Sequence, residues 1–117
     1  MGNSNFTDLQ VWHKSKILAI NIYKENKSRN FSYTDQITRA SFSISNNIAE
    51  GYGRFSNKEF IRYLNISKGS NDEVQSMILI GKDLQFFDSE IADILISQSI
   101  EINKMILGLI KNLRSKT

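Results

Sequence analysis

The chain has 117 residues, of which 40% are hydrophobic and 23% are charged, with a formal net charge of +3 at pH 7. These values are typical of one globular domain, and the lack of cysteine excludes disulfides, thiolate zinc sites and cysteine nucleophiles. No apolar run reaches the ~18 residues of a membrane span and residues 1–6 lack a signal-peptide pattern, so we expect a cytoplasmic protein with no membrane partner.

The hydrophobic pattern predicts a single all-α domain over residues 1–117, with helices at about 8–27, 34–50, 57–86 and 89–114. The chain has no proline, so nothing interrupts helices of this length. Thr7 and Gln10 form a Thr-x-x-Gln capping pair for the first helix, and Phe6 is placed to pack on Val11. Apolar residues lie on two sides of this helix: Leu9, Trp12, Ala19, Ile20 and Tyr23 on one, and Val11, Leu18 and Ile22 on the other.

The second helix is predicted to begin after a polar connection, where Ser32 or Thr34 can cap it. Phe31 and Tyr33 in this connection are expected to cover the end of the core. Gly51 and Gly53 are expected to end the helix by adopting the left-handed conformation. The apolar side of the helix is formed by Ile37, Ala40, Ile44 and Ile48.

The third helix begins with a Ser-x-x-Glu capping box formed by Ser56 and Glu59. Gly69 lies in its middle, where an interior glycine is unfavourable by about 1 kcal/mol relative to alanine. We expect close packing against a neighbouring helix at Gly69, and a kink is the alternative. Asp88 or Ser89 is placed to cap the fourth helix.

The fourth helix is apolar on two sides, which is unusual for the exposed helix of a monomer. Ile96, Ile100 and Leu107 share one side, and we predict that they form a contact between subunits. The other side is formed by Ile91, Ile94, Leu95, Gln98, Ile102, Met105, Ile106, Leu109 and Leu113. We expect a core that includes Trp12, Ile44, Ile48, Leu64 and Ile102.

The sequence gives little support for catalysis. His13 is the single histidine, so the paired Glu-x-x-His motifs of a di-iron bundle cannot form. The segment G-Y-G-R-F-S at residues 51–56 lacks the Gly-Lys-Ser/Thr end of a phosphate loop, and no nucleophile elbow is present. We therefore expect no enzyme activity, no catalytic residues, no metal site and no cofactor.

Several ordered motifs are found between residues 6 and 87: D-L-Q-V-W from residue 8, N-I-A-E-G from 47, G-R-F-S-N-K-E-F from 53, G-S-N-D-E from 69 and L-I-G-K-D-L from 79. As a set they resemble the four-helix-bundle family named after the protein encoded in intervening sequences of bacterial 23S ribosomal RNA. The accessory variability determinant of diversity-generating retroelements is a relative of that family. Three positions depart from its pattern: Ser45 replaces a common proline, Asn71 a common leucine, and Gln85 a common glycine.

The resemblance implies an antiparallel up-down-up-down four-helix bundle that forms a homo-oligomer, with a pentamer as the expected number. It implies RNA, or a reverse-transcriptase or ribonucleoprotein complex, as the partner. Glu73 is placed to pair with Arg39 across the second and third helices. The motif positions that carry over as structural residues are Arg39, Asn47, Glu50, Gly51, Glu59, Gly69 and Glu73.

Arg54, Lys58 and Arg62 are spaced four apart and form the predicted nucleic-acid contact strip, with Tyr52 and Tyr63 available for base stacking or for packing. Composition alone favours a solvated face with local ion pairs, and the resemblance shifts the balance to phosphate contacts. The leading hypothesis is a non-catalytic oligomeric module that binds RNA, and the alternative is a protein-interaction scaffold. Second candidates for phosphate contacts are His13, Lys14, Lys16, Lys111, Arg114 and Lys116.

Overall fold

The computed structural model describes residues 5–116, so residues 1–4 and 117 of the predicted domain lie outside the described part. A short 3-10 turn (Phe6–Asp8) precedes four helices: α1 (Gln10–Glu25), α2 (Phe31–Tyr52), α3 (Asn57–Asp83) and α4 (Ser89–Ser115). Each helix packs against the next one in the chain, and α4 also packs against α1. The result is the predicted all-α four-helix bundle, with principal dimensions of 45 × 21 × 20 Å.

The core confirms four of the five predicted residues. Ile44, Ile48, Leu64 and Ile102 are completely buried. Trp12 lies half-buried at the edge, where its ring meets Phe6 edge-on at 5.1 Å between centroids. Phe6 therefore packs on Trp12, and its predicted contact with Val11 stays a prediction.

The sequence predicted the buried side of α1 correctly but placed the buried side of α4 only in part. The α1 side with Val11, Leu18 and Ile22 is buried, and Ile20 on the other side is exposed. The buried side of α4 lies between the two predicted apolar sides. It is formed by Ala92, Leu95, Ser99, Ile102, Ile106 and Ile110, because small Ala92 and Ser99 allow close approach of a neighbouring helix.

Helix caps differ from the prediction at two starts. Asn5 caps the 3-10 turn together with Asp8, so α1 begins at Gln10 and has no Thr7–Gln10 box. Asn30 caps α2, since its Oδ1 accepts the Tyr33 N–H at 2.9 Å. Ser32 and Thr34 consequently lie inside the helix.

Ser56 caps α3 as predicted, because its Oγ accepts the Glu59 N–H at 3.1 Å. Among the described residues, however, the Glu59 side chain bonds Arg62 and does not close the box. Asp88 occupies the N-cap position of α4, but its side chain makes no capping bond. It forms an ion pair with Lys27 instead.

The glycines do not act as predicted. No described glycine has a positive φ, and Gly51 is a buried helical residue within α2. A Cβ at Gly51 would lie 2.6 Å from the Tyr63 Cβ, so the glycine is required for the close approach of α2 to α3. Gly69 is exposed, and a Cβ there would meet no atom within 4 Å, so the predicted close packing at Gly69 within the bundle was wrong.

The end of α3 has its left-handed residue at Gln85, where φ is +62°. The Phe86 N–H donates to the Gly81 carbonyl at 2.7 Å, and the Gln85 N–H donates to the Lys82 carbonyl at 3.1 Å. These two bonds define a Schellman motif with Gln85 at the position that favours glycine. The cap is therefore retained despite the departure at Gln85, and α3 ends at Asp83, three residues earlier than predicted.

Candidate nucleic-acid interface

The predicted strip is divided by the α2–α3 hinge, residues 53–56. Arg54 lies in the hinge, and Lys58 and Arg62 lie in the first two turns of α3. A spacing of four places residues along one side of a helix only where the helix is continuous. The three residues therefore do not form a single helical stripe, contrary to the prediction.

Arg54 is fixed by two partners at the hinge. Its Nη2 donates to Glu50 Oε2 and to Tyr63 Oη, each at 2.7 Å. Its guanidinium carbon lies 4.9 Å from the Tyr63 ring centroid. Arg54 thus connects the end of α2 to the start of α3, and Glu50 neutralises its charge locally.

Arg62 also lies over Tyr63, at 4.6 Å from the ring centroid. It forms an ion pair with Glu59 at 3.3 Å. The hydrogen bond and the charge of Glu59 raise the pKa of Arg62 above its usual value. Two of the three predicted phosphate ligands are therefore paired with carboxylates, and Tyr63 packs against both arginines.

Lys58 is the member of the strip that has no ion-pair partner among residues 5–116, and it is exposed. It follows Asn57, whose Nδ2 donates to the Leu113 carbonyl at 3.5 Å. This bond brings the start of α3 to the last turns of α4, where Lys111, Arg114 and Lys116 are exposed. The structure thus places Lys58 at the same end of the bundle as the C-terminal second candidates.

The candidates on α1 are more constrained. Lys14 forms an ion pair with Glu101 of α4 at 3.4 Å. The Lys16 ammonium lies 5.2 Å from the Trp12 ring centroid, a cation–π distance. His13 Nε2 donates to the Thr7 carbonyl at 2.7 Å, which holds the 3-10 turn against α1.

Charge is distributed unequally between the two ends of the bundle when each helix is divided near its midpoint. We call residues 5–17, 42–70 and 102–116 the termini end, and residues 18–41 and 71–101 the connection end. The termini end has ten Lys and Arg residues and three Asp and Glu residues, a net formal charge of +7. The connection end has five Lys and Arg residues and nine Asp and Glu residues, a net formal charge of −4. The modest total of +3 therefore conceals a basic half, in which Lys14 and Lys68 are paired with Glu101 and Asp72 just across the boundary.

Sequence reasoning missed Phe55, which lies in the hinge beside Arg54. Its side chain is fully solvent-exposed, with a relative exposure of 109%. Its position in the four-residue hinge, just before the Ser56 cap, was the signal that could have identified it. By contrast, the two tyrosines considered for stacking are engaged in packing: Tyr52 meets Phe60 edge-on at 5.9 Å, and Tyr63 contacts the two arginines.

The model of the family described as "23S rRNA-intervening sequence protein" matches residues 7–108. The chain belongs to this family. The crystal structure, at 1.70 Å resolution, of a protein of unknown function from the S23 ribosomal protein family of Bacteroides thetaiotaomicron VPI-5482 is similar to it. The two are 30% identical with a TM-score of 0.79, over 86% of this chain and 98% of the other. None of the curated proteins compared with the chain matches it.

These comparisons confirm the predicted intervening-sequence family and its four-helix fold. The relationship to the retroelement accessory protein stays a prediction. In the residues that the structure describes, no helix is long and apolar enough to cross a membrane. The same residues contain no group of three His, Asp or Glu side chains placed to hold a metal ion.

Two of the motif residues that were predicted to join α2 to α3, Arg39 and Glu73, do not do so. Arg39 and Glu73 are both exposed, and no ion pair joins them in the described part of the chain, so the predicted pairing was wrong. The α2–α3 contact is instead made by smaller groups: Ser67 Oγ donates to the Ile44 carbonyl at 2.8 Å, and the hydroxyls of Ser43 and Ser70 lie 2.8 Å apart. Asn47 Nδ2 supports this contact by donating to the Ser43 carbonyl at 2.8 Å.

The predicted subunit contact on α4 is partly exposed. Ile100 and Leu107 have 41% and 49% of their surface exposed, and Ile96 is half-buried against the core. Leu79 on α3 is 50% exposed. The Lys82–Asp93 ion pair at 2.7 Å and the Ser99–Gln75 bond place Leu79 level with Ile96 across the α3–α4 groove. Leu79 of α3 and Ile96 of α4 therefore lie at the same height on neighbouring helices of the intervening-sequence bundle.

Proposed function

We propose that the protein is a non-catalytic, cytoplasmic, oligomeric module that binds nucleic acid, with structured RNA as the main ligand, or that assembles a ribonucleoprotein. The observation that supports this best is the net charge of +7 on the termini end, opposite −4 on the connection end. Nucleic-acid affinity is dominated by cations that neutralise phosphates. A bundle polarised in this way orients its basic end toward a polyanion.

The phosphate contacts are assigned to the cations that are not paired with carboxylates. Lys58 at the start of α3 and Lys111 and Lys116 at the end of α4 meet this condition in the described chain. Arg54 and Arg62 mainly hold the hinge through Glu50, Glu59 and Tyr63. The proposed site is therefore the termini end as a whole, with the hinge as its framework.

Self-association is a second part of the proposal. Apolar side chains are exposed on α4 at Ile100 and Leu107 and on α3 at Leu79, and a second copy of the chain is proposed to cover them. A closed ring, with a pentamer as the expected size, repeats the basic end around one axis. Weak phosphate contacts then add as multivalent contacts.

Filter binding to a structured RNA at two salt concentrations tests the nucleic-acid part. Wild-type affinity should fall steeply as salt rises, because bound cations release counterions from the phosphates. Lys58→Glu with Lys111→Glu should weaken binding by roughly tenfold or more at low salt. The matched control is Lys24→Glu with Arg29→Glu, which changes the net charge equally at the connection end and should have a much smaller effect.

Equal losses in the two double variants would show that only the total charge matters and would remove the site assignment. An absence of salt-sensitive binding in the wild type would leave the protein-interaction scaffold as the function.

Sedimentation tests the assembly separately: Ile100→Lys with Leu107→Lys should convert the oligomer to a folded monomer. A wild-type protein that sediments as a monomer at micromolar concentration would contradict the assembly.

A further inference from the structure

Phe55 is presented to solvent by a backbone that is fixed on both sides. The Gly53 and Arg54 N–H groups donate to the Glu50 and Gly51 carbonyls at 3.2 and 3.1 Å, which closes the end of α2. On the other side, Ser56 caps α3. An exposed Phe ring gives up the stabilisation that burial of its apolar surface would provide. The fold thus holds a large apolar ring in water at a defined position.

Lys58 follows Phe55 by three residues and has no ion-pair partner among the described residues, whereas Arg54 before the ring is paired with Glu50. The Asn57 bond to the Leu113 carbonyl joins this hinge to the basic end of α4. An aromatic ring beside a positively charged surface is the arrangement by which proteins bind single-stranded nucleic acid, since bases stack on the ring while cations contact the phosphates.

A second exposed phenylalanine provides the comparison within the molecule. Phe31, at the start of α2, is 83% exposed and lies at the connection end, where the net charge is −4. Arg29 lies two residues before Phe31, but the carboxylates of residues 71–101 outnumber the cations at this end, so the end as a whole does not attract a polyanion. Phe55 is thus exposed at the basic end of the bundle, and Phe31 is exposed at the acidic end.

We propose that Phe55 stacks on an unpaired base of a single-stranded segment of nucleic acid, while Lys58 contacts an adjacent phosphate. This proposal rests on the proposed function and specifies its ligand. A base inside a duplex is already covered on both faces by its neighbours. The termini end is therefore inferred to prefer loops and single strands over continuous duplex.

The test compares a labelled oligouridine of about 12 nucleotides, within the range that small single-strand sites cover, with a duplex that has the same number of phosphates. Phe55→Ala should weaken single-strand binding about 5- to 100-fold, as loss of one stacked base does. Its salt dependence and its duplex affinity should match those of the wild type. Phe31→Ala should bind both ligands as the wild type does, and Phe55→Trp should retain single-strand binding.

The outcomes separate this proposal from the proposed function. If Phe55→Ala binds oligouridine as tightly as the wild type, with affinity that still falls with salt, stacking is wrong and phosphate binding stands. If the wild type binds neither ligand, the proposed function fails and the stacking proposal fails with it. If Phe55→Ala changes the sedimentation of the free protein, the ring contacts another copy of the chain, and the stacking assignment is overturned.

Discussion

Asn71 on α3 and Ser99 on α4 hold each other in the centre of the bundle. Asn71 Nδ2 donates to the Ser99 carbonyl at 2.8 Å, and Ser99 Oγ donates to Asn71 Oδ1 at 2.8 Å. Both residues are completely buried. Asn71 also donates to Asn103, which donates to Asp72, and this bond from Asn103 is the main cause that lowers the pKa of the Asp72 carboxyl. Asn71, which departs from the leucine that the family resemblance implied, therefore has its hydrogen-bonding groups satisfied and links α3 to α4.

Removing the side chain of Asn71 alone should lower the stability more than replacing both Asn71 and Ser99 by apolar residues. We expect Asn71→Ala to lower the free energy of unfolding by about 2–3 kcal/mol, because Ser99 loses a buried partner and a cavity remains. Asn71→Leu combined with Ser99→Ala should be less harmful, since both polar groups are replaced by apolar ones. Urea denaturation of the two variants measures the difference. A double variant that loses more stability than Asn71→Ala would contradict this explanation.

Gly51 and Gly69 should respond in opposite directions to alanine. Gly51→Ala places a Cβ 2.6 Å from the Tyr63 Cβ and 2.9 Å from Phe60 Cδ1, so we expect a loss of about 1–3 kcal/mol. Gly69→Ala adds a Cβ in open space and should gain about 0.5–1 kcal/mol of helix stability. Thermal melts of the two variants test this. A destabilised Gly69→Ala protein would indicate that another copy of the chain covers Gly69.

Gln85→Gly should stabilise the protein by about 0.5–1 kcal/mol, because the left-handed conformation at φ +62° is unfavourable for a residue with a Cβ. The control is Gln36→Gly at an exposed position inside α2, which should cost about 1 kcal/mol. Chemical denaturation should therefore move the two midpoints in opposite directions. Equal destabilisation by both changes would show that the Gln85 side chain contributes more than its backbone strain costs.

Tyr33 should make the protein sensitive to alkaline pH. Its hydroxyl donates to the Met77 carbonyl at 2.6 Å, and burial raises its pKa from 10.0 to about 12. Between these values the unfolded chain loses the Tyr33 proton while the folded protein keeps it. The stabilisation is complete below pH 10 and declines as pH rises toward 12, by an amount on the order of 2 kcal/mol.

Tyr33→Phe isolates this effect, since the other groups that titrate at high pH are present in both proteins. The variant should be less stable by about 1 kcal/mol at neutral pH, through the lost hydrogen bond. Its deficit should shrink or reverse as pH approaches 12. Tyr23→Phe, at an exposed ring, serves as the control. A deficit for Tyr33→Phe that stays constant from pH 7 to pH 12 would argue against the raised pKa.

Ile48→Ala tests the core directly. Ile48 is completely buried in α2, and we expect its truncation to cost about 2–5 kcal/mol, as large-to-small changes in cores do. Ile20→Ala on the exposed side of α1 should cost much less. Differential scanning calorimetry of both variants gives the comparison. Similar melting temperatures for Ile48→Ala and the wild type would exclude Ile48 from the core.

The sequence by itself determined the parts of the protein that depend on local periodicity. Apolar residues at helical spacing predicted four helices and most of the core, because one side of each helix must be buried whichever neighbours it meets. The ordered motifs identified the family, since they combine turn residues and helix faces in a fixed order. Ser56 was predicted as a cap because a serine side chain at the start of a helix accepts a hydrogen bond from the backbone N–H three residues later in the chain. This bond needs no distant segment.

The tertiary structure decided what depends on which groups meet. Gly51 is required by Tyr63, a residue twelve positions away, and not by its own φ, so no local rule identifies its role. The sequence left open whether Arg54 and Arg62 contact phosphates or form local ion pairs, and the folded hinge pairs them with Glu50 and Glu59 and packs both on Tyr63. The charge of +7 at one end arises only because the chain termini and the α2–α3 hinge lie at the same end of an antiparallel bundle. Local sequence patterns determine where each helix begins and ends to within a few residues. The net charge of one end, the close approach of two helices and the exposure of a side chain depend on segments that are distant in the sequence.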